Sequence, residues 1–217
     1  MKYLLISLIT LSFLSSCSRH EEVIDTTLQP GHILCSNGEI VHPDLFNDHH
    51  DAVGIVFWCN DGSNPKIKDL GYAVSLHDIG YEFLMAYNID VSGVSEDEDA
   101  FDGAANTIAF LAYATKDTIA VPAIDLAINY TPSGMRGWFI PSVAQNNAIY
   151  ANLSKVYHSL DLVQGDHFSG WYWSSTEDGT GNDTPKVYAI ASSIEEGRNT
   201  ASSKNLENKV RPIIAIR

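Results

Sequence analysis

The chain has 217 residues and carries 13 basic side chains against 27 acidic ones, a formal net charge of −14 at pH 7. A surface this acidic repels nucleic acid and anionic lipid headgroups, which excludes both as direct partners. The length suffices for one domain with a sizeable core, or for two small domains at most.

The N-terminus has the pattern of a signal peptide at residues 1–17. Lys2 precedes an apolar run that is shorter than the roughly 20 residues needed to span a bilayer. The run ends in LSSC (14–17), which resembles the lipobox of bacterial lipoproteins. By that resemblance Cys17 is diacylated with palmitate-type chains, becomes the mature N-terminus and provides the only contact with the membrane. The alternative is an ordinary cleavage region with a lone exposed thiol.

A polar tether at residues 18–30 follows, and its SRHEE start resembles the export signal that sends Bacteroidetes lipoproteins to the cell surface. We therefore expect a lipid-anchored protein of the outer membrane that faces the cell exterior. The tether contains DTT (25–27), which resembles the short O-glycan acceptor pattern of Bacteroidetes, and Thr26 is the predicted acceptor. No linker divides residues 31–217, which we assign to a single domain.

The first part of this domain has the pattern of β-strands. Asn37-Gly38, the type I′ turn dipeptide, lies between two short apolar runs and predicts a hairpin over residues 32–41. A continuous apolar run at 52–59 predicts a buried strand, and residues 71–76 predict the next strand.

Two cysteines remain once Cys17 is assigned to lipid. Cys35 and Cys59 each end an apolar run, and an oxidising compartment favours a disulfide between them. The alternative is a pair of small buried thiols. The chain has no CxxC spacing that would indicate a metal site.

Three helices are predicted in the middle of the chain, at residues 104–115, 122–130 and 142–160. The first places Ile108, Leu111 and Ala112 on one face, with Asp102 as its N-cap. The second begins with proline in its first turn. The third begins with an S-x-x-Q capping box and repeats apolar residues at 4-3-4 spacing.

Strands return after the helices, at residues 171–175, 186–192 and 209–216. Pro212 interrupts the last of these and predicts an edge strand or a bulge. Strands first, helices in the middle and strands last predict an α+β domain whose first and last strands meet in one sheet.

Three segments in a fixed order resemble one group of bacterial domains. They are GWFIPSVAQ (137–145), WYWSSTE (171–177) and VRPIIAI (210–216). This order resembles the C-terminal domain of the Legionella collagen-like adhesin and the Fibrobacter paralogous domains, and the likeness covers most of the chain from Pro30. Those families share the C-type-lectin-like architecture with the formylglycine-generating enzymes. The resemblance implies a C-type-lectin-like α+β fold, with a mixed or antiparallel sheet and two to three helices inserted mid-chain, used for adhesion or glycan recognition.

The same residues argue against a reactive centre. Ser174 and Ser175 lack the G-x-S-x-G turn that exposes a nucleophile. No cysteine follows Cys59, which excludes the cysteine oxidation of the formylglycine-generating enzymes. Gln145 stands where the relatives usually carry an acidic residue. We predict that the protein is not an enzyme, has no catalytic residues and needs no cofactor.

Two segments rich in metal-ligand residue types are interpreted as solvated loops. SEDEDAFDG (95–103) has Phe101 at the position of the third EF-hand ligand. Adjacent side chains in His49-His50-Asp51 point to opposite sides of an extended chain, so two of them converge on one zinc ion only in a turn. No metal site is predicted.

The stretch GWYWSSTED (170–178) is predicted to be mainly a core strand that runs into a loop on the binding side of the domain. In a strand, Trp171 and Trp173 share one face and Tyr172 takes the other, so one face belongs to the core. A purely structural core strand is one interpretation. The other places a ring and two carboxylates in a groove that stacks on sugar and accepts hydroxyl hydrogen bonds. The candidate ligand-binding residues are Trp171, Tyr172, Trp173, Glu177 and Asp178.

These patterns predict a cell-surface lipoprotein with a non-enzymatic recognition domain, which acts in adhesion and binds a glycan or a surface protein. Two alternatives remain open. One is a glycan-processing enzyme, which requires two carboxylates about 5–9 Å apart across a cleft. The other is a fimbria-associated structural subunit that assembles through an exposed edge strand.

Overall fold

The computed structural model describes residues 24–179 and 187–217. Within these ranges the chain forms two β-sheets and four α-helices. The strands are β1 (Ile33–Cys35), β2 (Ile40–Val41), β3 (Ala52–Cys59), β4 (Gly71–Ser75), β5 (Gly80–Phe83), β6 (Trp138–Phe139), β7 (Tyr172–Glu177), β8 (Tyr188–Ser193), β9 (Arg198–Ser203), β10 (Glu207–Val210) and β11 (Ile213–Ile216). The helices are α1 (Gly103–Asp117), α2 (Pro122–Asn129), α3 (Val143–Ala151) and α4 (Leu153–Leu162).

The two sheets are open and mostly antiparallel. The first sheet has the strand order β2-β1-β3-β4-β11-β6, and the second has the order β5-β10-β7-β8-β9. Only the pairing of β10 with β7 is parallel among the described strands. The early strands β1 to β4 and the late strand β11 lie in the first sheet, as predicted. The α+β class is confirmed, and the C-type-lectin-like architecture stays a prediction.

The hydrophobic core consists of three clusters separated by the sheets. The first lies between the first sheet and helices α3 and α4, and it includes Phe57 and Ile149. The second lies between the second sheet and helices α1 and α2, and it includes Phe110. The third covers the opposite face of the first sheet and includes Val56 and Trp138. Neighbouring residues of β3 thus belong to different clusters, as the two-residue period of a strand requires.

The buried face of α1 differs from the predicted one. Ile108 is 67% exposed, whereas Asn106 and Thr107 are buried. Both polar side chains bind the backbone of neighbouring segments. The Ser95 N–H donates to Asn106 Oδ1 at 3.0 Å, and the Ile140 N–H donates to Thr107 Oγ1 at 3.1 Å. The helix turns this face inward because it satisfies backbone donors that burial would otherwise leave unpaired.

The third predicted helix, residues 142–160, is two helices that meet at Asn152. Asn152 leaves helical geometry, with φ −118° and ψ 19°, and its side-chain amide donates to Ala148 O at 3.4 Å. Asparagine competes with the helix for backbone hydrogen bonds, which explains the break. The capping box is confirmed, because the Gln145 N–H donates to Ser142 Oγ at 3.3 Å and the Ser142 N–H donates to Gln145 Oε1 at 2.8 Å.

The hairpin at Asn37-Gly38 is confirmed, but its turn is not type I′. That turn requires a positive φ at both central residues. Gly38 has a φ of 86°, whereas Asn37 is not among the residues with positive φ. The Gly38 N–H donates to Cys35 O at 2.9 Å. The turn therefore spans residues 35–38, with glycine in the left-handed conformation at its end.

Residues 209–216 belong to two strands and not to one. Strand β10 ends at Val210 and lies between β5 and β7, while β11 begins at Ile213 and lies between β4 and β6. Pro212 marks the crossing from one sheet to the other, so the expected edge strand is wrong. Proline has no N–H to donate to a sheet ladder, which suits a position between two strands.

The predicted disulfide between Cys35 and Cys59 is wrong, because both thiols are free. Cys35 pairs with Ala52 at one end of β3, and Cys59 lies at the other end of that strand. The length of β3 separates the two positions by about 23 Å, at roughly 3.3 Å per residue. A disulfide requires Cα atoms within about 7 Å of each other.

We expect two titratable thiols per chain when Cys17 carries lipid, and no change in intact mass on reduction. Burial raises the pKa of Cys35 and raises the pKa of Cys59 to about 11. Both thiols should therefore react slowly with a disulfide reagent at neutral pH in the folded protein and completely in denaturant. Failure to detect thiols in denaturant before reduction, with their appearance afterwards, would contradict the free pair.

Candidate functional site

The predicted aromatic platform at 170–178 is part of the core. Tyr172 and Trp173 are each 1% exposed, and Glu177 is fully buried. The alternation is as predicted, because Tyr172 belongs to the cluster of the first sheet while Trp173 and half-buried Trp171 belong to that of α1 and α2. The ligand groove predicted here is wrong, because the Tyr172 and Glu177 side chains that would form it are buried.

Tyr172 ends in a polar network at the start of β7. Its hydroxyl donates to Asp78 Oδ2 at 3.2 Å and accepts the Ser169 N–H at 3.0 Å. Lys209 Nζ lies 3.0 Å from the same Asp78 oxygen and donates to Ser169 Oγ at 2.8 Å. Burial raises the pKa of Tyr172, so the hydroxyl keeps its proton and donates it to the carboxylate.

Arg211 completes this network and is only 2% exposed. Its Nε donates to Ser75 O at 2.9 Å, and its Nη1 donates to Asp78 Oδ1 at 2.9 Å. Its Nη2 donates to Leu76 O at 2.8 Å and to Asp166 O at 2.9 Å. One guanidinium thus connects the segment after β4, the segment before β7 and the crossing between β10 and β11. The WYWSST and VRP segments, which are the most distinctive parts of the sequence, therefore stabilise the interior of the fold.

Arg211→Met is expected to destabilise the folded state by about 3–5 kcal/mol, because it removes buried hydrogen bonds to three carbonyls and a charge partner of Asp78. Urea unfolding followed by tryptophan fluorescence measures the change. Arg136→Met removes an exposed guanidinium and is the matched control, with an expected change within about 0.5 kcal/mol. Equal effects of the two substitutions would rule out the structural role assigned to Arg211.

Glu177 forms a buried ion pair with Lys204. Both side chains are fully buried, and Lys204 Nζ donates to Glu177 Oε1. The Nζ also donates to Ile89 O at 2.6 Å, and the Val91 N–H donates to Glu177 Oε1 at 3.0 Å. Burial raises the pKa of Glu177 and lowers that of Lys204, and their hydrogen bond opposes both shifts. Asp178 follows, half-buried. The pair fixes the end of β7 and is not a ligand site.

An open groove of about 560 Å³ lies between the loop after β3 and the acidic loop before α1. We call it the aromatic groove. It is lined by Asn64, Lys66, Ile67, Lys68, Asp69, Tyr72, Asp97, Asp99, Ala100, Phe101 and Asp102. Small-ligand sites occupy about 300–1,000 Å³ and combine apolar surface with a few polar groups. The aromatic groove meets both conditions and is the candidate functional site.

Aromatic rings form the floor of the aromatic groove. The Phe101 ring centre lies 4.8 Å from that of Trp58 and 5.9 Å from that of Tyr72. Tyr72 is buried, while Trp58 and Phe101 are half-buried. Phe101 therefore presents part of its ring to the groove while its neighbours hold it in place. The sequence did contain a signal for this contact, the single phenyl ring of Phe101 within an acidic loop. We considered Phe101 only as a position in a possible calcium site.

The wall that follows β3 is held by Asn60 and Asp69. Asn60 Nδ2 donates to Ile67 O at 3.0 Å and to Asp69 O at 3.1 Å. The Asp69 carboxylate accepts hydrogen bonds from the Tyr72 hydroxyl at 2.9 Å and from Arg217 Nε at 3.0 Å. These bonds preorganise the wall, which reduces the entropy lost when a ligand binds.

The opposite wall is the acidic loop, which is tied to α1 and α3. Ser142 Oγ donates to Ala100 O at 2.7 Å. Asp102 makes no capping bond to α1, contrary to the prediction, and its Oδ1 accepts from Asn106 Nδ2 at 2.9 Å. Burial raises the pKa of Asp102. The loop therefore has a fixed shape and carries a carboxyl group that holds its proton to a higher pH than usual.

Two other predicted residues lie in or near the tether. Thr26 is exposed, and its glycosylation stays a prediction. Cys17 lies outside the described residues. No helix within residues 24–179 and 187–217 is both long enough and apolar enough to cross a membrane. In the same ranges, no three His, Cys, Asp or Glu side chains are grouped so that they could hold a metal ion.

Comparison with known proteins gives a likeness of fold. No protein-family model matches the sequence, and a search of curated proteins finds no match. Among solved structures, the chain is similar to the crystal structure of a fimbrial protein from Bacteroides ovatus, with a TM-score of 0.59 and 16% sequence identity. The match covers 86% of this chain and 48% of that one, so this chain spans about half the length of the fimbrial protein. At this identity the likeness shows the fold alone.

Proposed function

We propose that this chain is a lipid-anchored, non-enzymatic recognition protein of the outer bacterial surface that binds a glycan through the aromatic groove. One observation carries the proposal. The partly exposed Phe101 ring lies between two preorganised walls that bear charged side chains. A ring floor with polar walls suits a sugar better than it suits a wholly apolar ligand.

The chemistry of the groove matches the two kinds of surface on a sugar. A pyranose ring has apolar C–H faces, which stack on an aromatic ring such as Phe101. Its edge carries hydroxyl groups, which donate strong hydrogen bonds to carboxylates such as the exposed Asp97 and Asp99. Lys66 and Lys68 on the other wall supply donors for the sugar oxygens.

Two features support a position at the cell surface. The LSSC segment and the polar tether resemble a lipoprotein N-terminus, and the fold is similar to that of a fimbrial protein. In this proposal the lipid on Cys17 holds the chain at the outer membrane, and the domain acts in adhesion.

A fimbria-associated structural subunit is the second candidate function, and strand β9 favours it. This strand lies at the edge of the second sheet, and four of its six residues are exposed. An exposed edge strand can pair with a strand of a neighbouring subunit. Analytical ultracentrifugation tests this candidate, which requires oligomers that grow with protein concentration in the absence of a ligand.

Phe101→Ala is expected to weaken glycan binding by at least about tenfold, because it removes the ring on which the sugar stacks. A glycan array with full-length protein purified in detergent identifies the ligand, and isothermal titration with the best glycan measures the loss. Tyr172→Phe is the matched control. It removes only a buried hydroxyl and is expected to leave the affinity unchanged.

The melting temperature of each variant separates a loss of binding from a loss of folding. The proposal is contradicted if no glycan on the array binds, or if folded Phe101→Ala binds as tightly as the unaltered protein. Sustained release of shortened glycans would contradict the non-enzymatic assignment and would direct attention to Asp102, since a carboxyl group with a raised pKa suits a general acid.

A further inference from the structure

A second groove, of about 370 Å³, lies beside the aromatic groove. We call it the arginine groove. Helices α1 and α2 and strands β6 and β11 line it, largely with apolar side chains such as Ile108, Ile128 and Phe139. Arg136 and Arg217 are the two charged residues of its lining. It thus combines an apolar floor with two guanidinium groups.

Two connections join the grooves. Arg217, which lines the arginine groove, donates from Nε to Asp69, which lines the aromatic groove, at 3.0 Å. Asp102 lines the aromatic groove, and Ala104 two residues later lines the arginine groove. A ligand longer than one sugar unit that leaves the aromatic groove on this side therefore meets the guanidinium groups.

The charge of the arginine groove is opposite to that of the chain as a whole, which is −14. Arg136 is exposed, and no carboxylate in residues 24–179 or 187–217 forms an ion pair with it. Arg217 is bonded through Nε to Asp69, and its side chain is 80% exposed. Its terminal nitrogens thus face solvent. Guanidinium groups match the geometry of a carboxylate and bind it through paired hydrogen bonds.

Ile108 adds apolar surface to the arginine groove. Ile108 is 67% exposed and lines the arginine groove, where a bound ligand can cover it. Together with Ile128 and Phe139 it offers an apolar surface to the C–H face of a second sugar ring.

We propose that the two grooves form one extended site whose ligand is a glycan with a carboxylate-bearing sugar. The acidic sugar lies in the arginine groove, where Arg136 and Arg217 bind its carboxylate, and neutral units lie in the aromatic groove. This inference rests on the proposed function. It adds the class of glycan and the orientation in which the glycan lies across the two grooves. An acidic peptide is the competing ligand class. Its repeated carboxylates would meet Asp97 and Asp99 on the acidic wall, whereas a single carboxylate at one end avoids them.

The test compares matched glycans on full-length protein in detergent. The probes are lactose, 3′-sialyllactose, cellotriose and cellotriose with a terminal glucuronic acid, so that sialic and uronic acids are distinguished. At least one acidic probe is expected to bind about tenfold tighter than its neutral partner at low salt, with a smaller ratio at high salt. Arg136→Gln should make the affinities for the acidic and the neutral probe equal, and it should leave the affinity for the neutral probe unchanged. Arg198→Gln removes an exposed arginine outside both grooves and is the matched control, with the ratio retained.

The possible failures are distinguishable. Equal binding of neutral and acidic probes, or an unchanged ratio in Arg136→Gln, overturns the carboxylate site and leaves the proposed glycan function intact. Binding of no probe, and of no glycan on the array, overturns both. Tighter binding of a hexaglutamate peptide than of any acidic glycan, with loss in Arg136→Gln, overturns the glycan assignment in favour of an acidic peptide.

Discussion

The buried guanidinium of Arg211 is the constraint on which the rest of the fold depends. It lies between β10 and β11, one of which belongs to each sheet, and its donors reach the segments after β4 and before β7. A charge taken out of water is tolerated only when its hydrogen bonds are satisfied. Asp78 accepts from both Arg211 and Tyr172. The two most distinctive segments of the sequence are therefore joined through one carboxylate, inside the protein.

Because the distinctive residues are buried, the groove to which we assign recognition is formed by loops. The aromatic groove is built from the loop after β3 and the acidic loop before α1, and both are fastened to the scaffold by side-chain hydrogen bonds. Loops held on a rigid frame can change their contact residues without disturbing the core. The frame accounts for the likeness of fold to a fimbrial protein, and the proposed function assigns ligand binding to the loop residues.

The sequence correctly predicted elements that depend on neighbouring residues. It failed where the structure depends on contacts between residues that are distant in sequence. The strand at 52–59 and the capping box at Ser142 depend on neighbouring residues, and both are present. The break at Asn152 has a local cause too, but the repeating apolar pattern concealed it. The groove was missed because Phe101 and Tyr72 are distant in sequence and meet only in the folded chain.

Strand β10 lies in the interior of the second sheet, between β5 and β7. Strand β11 lies in the interior of the first sheet, between β4 and β6. Neither sheet is complete until residues 207–216 have been synthesised, because β10 joins β5 to β7 and β11 joins β4 to β6. Pairings between such distant parts of a chain form slowly, because a long loop must be ordered first. The two sheets of this chain therefore cannot be completed during synthesis of residues 24–206, and their assembly follows the addition of the last two strands.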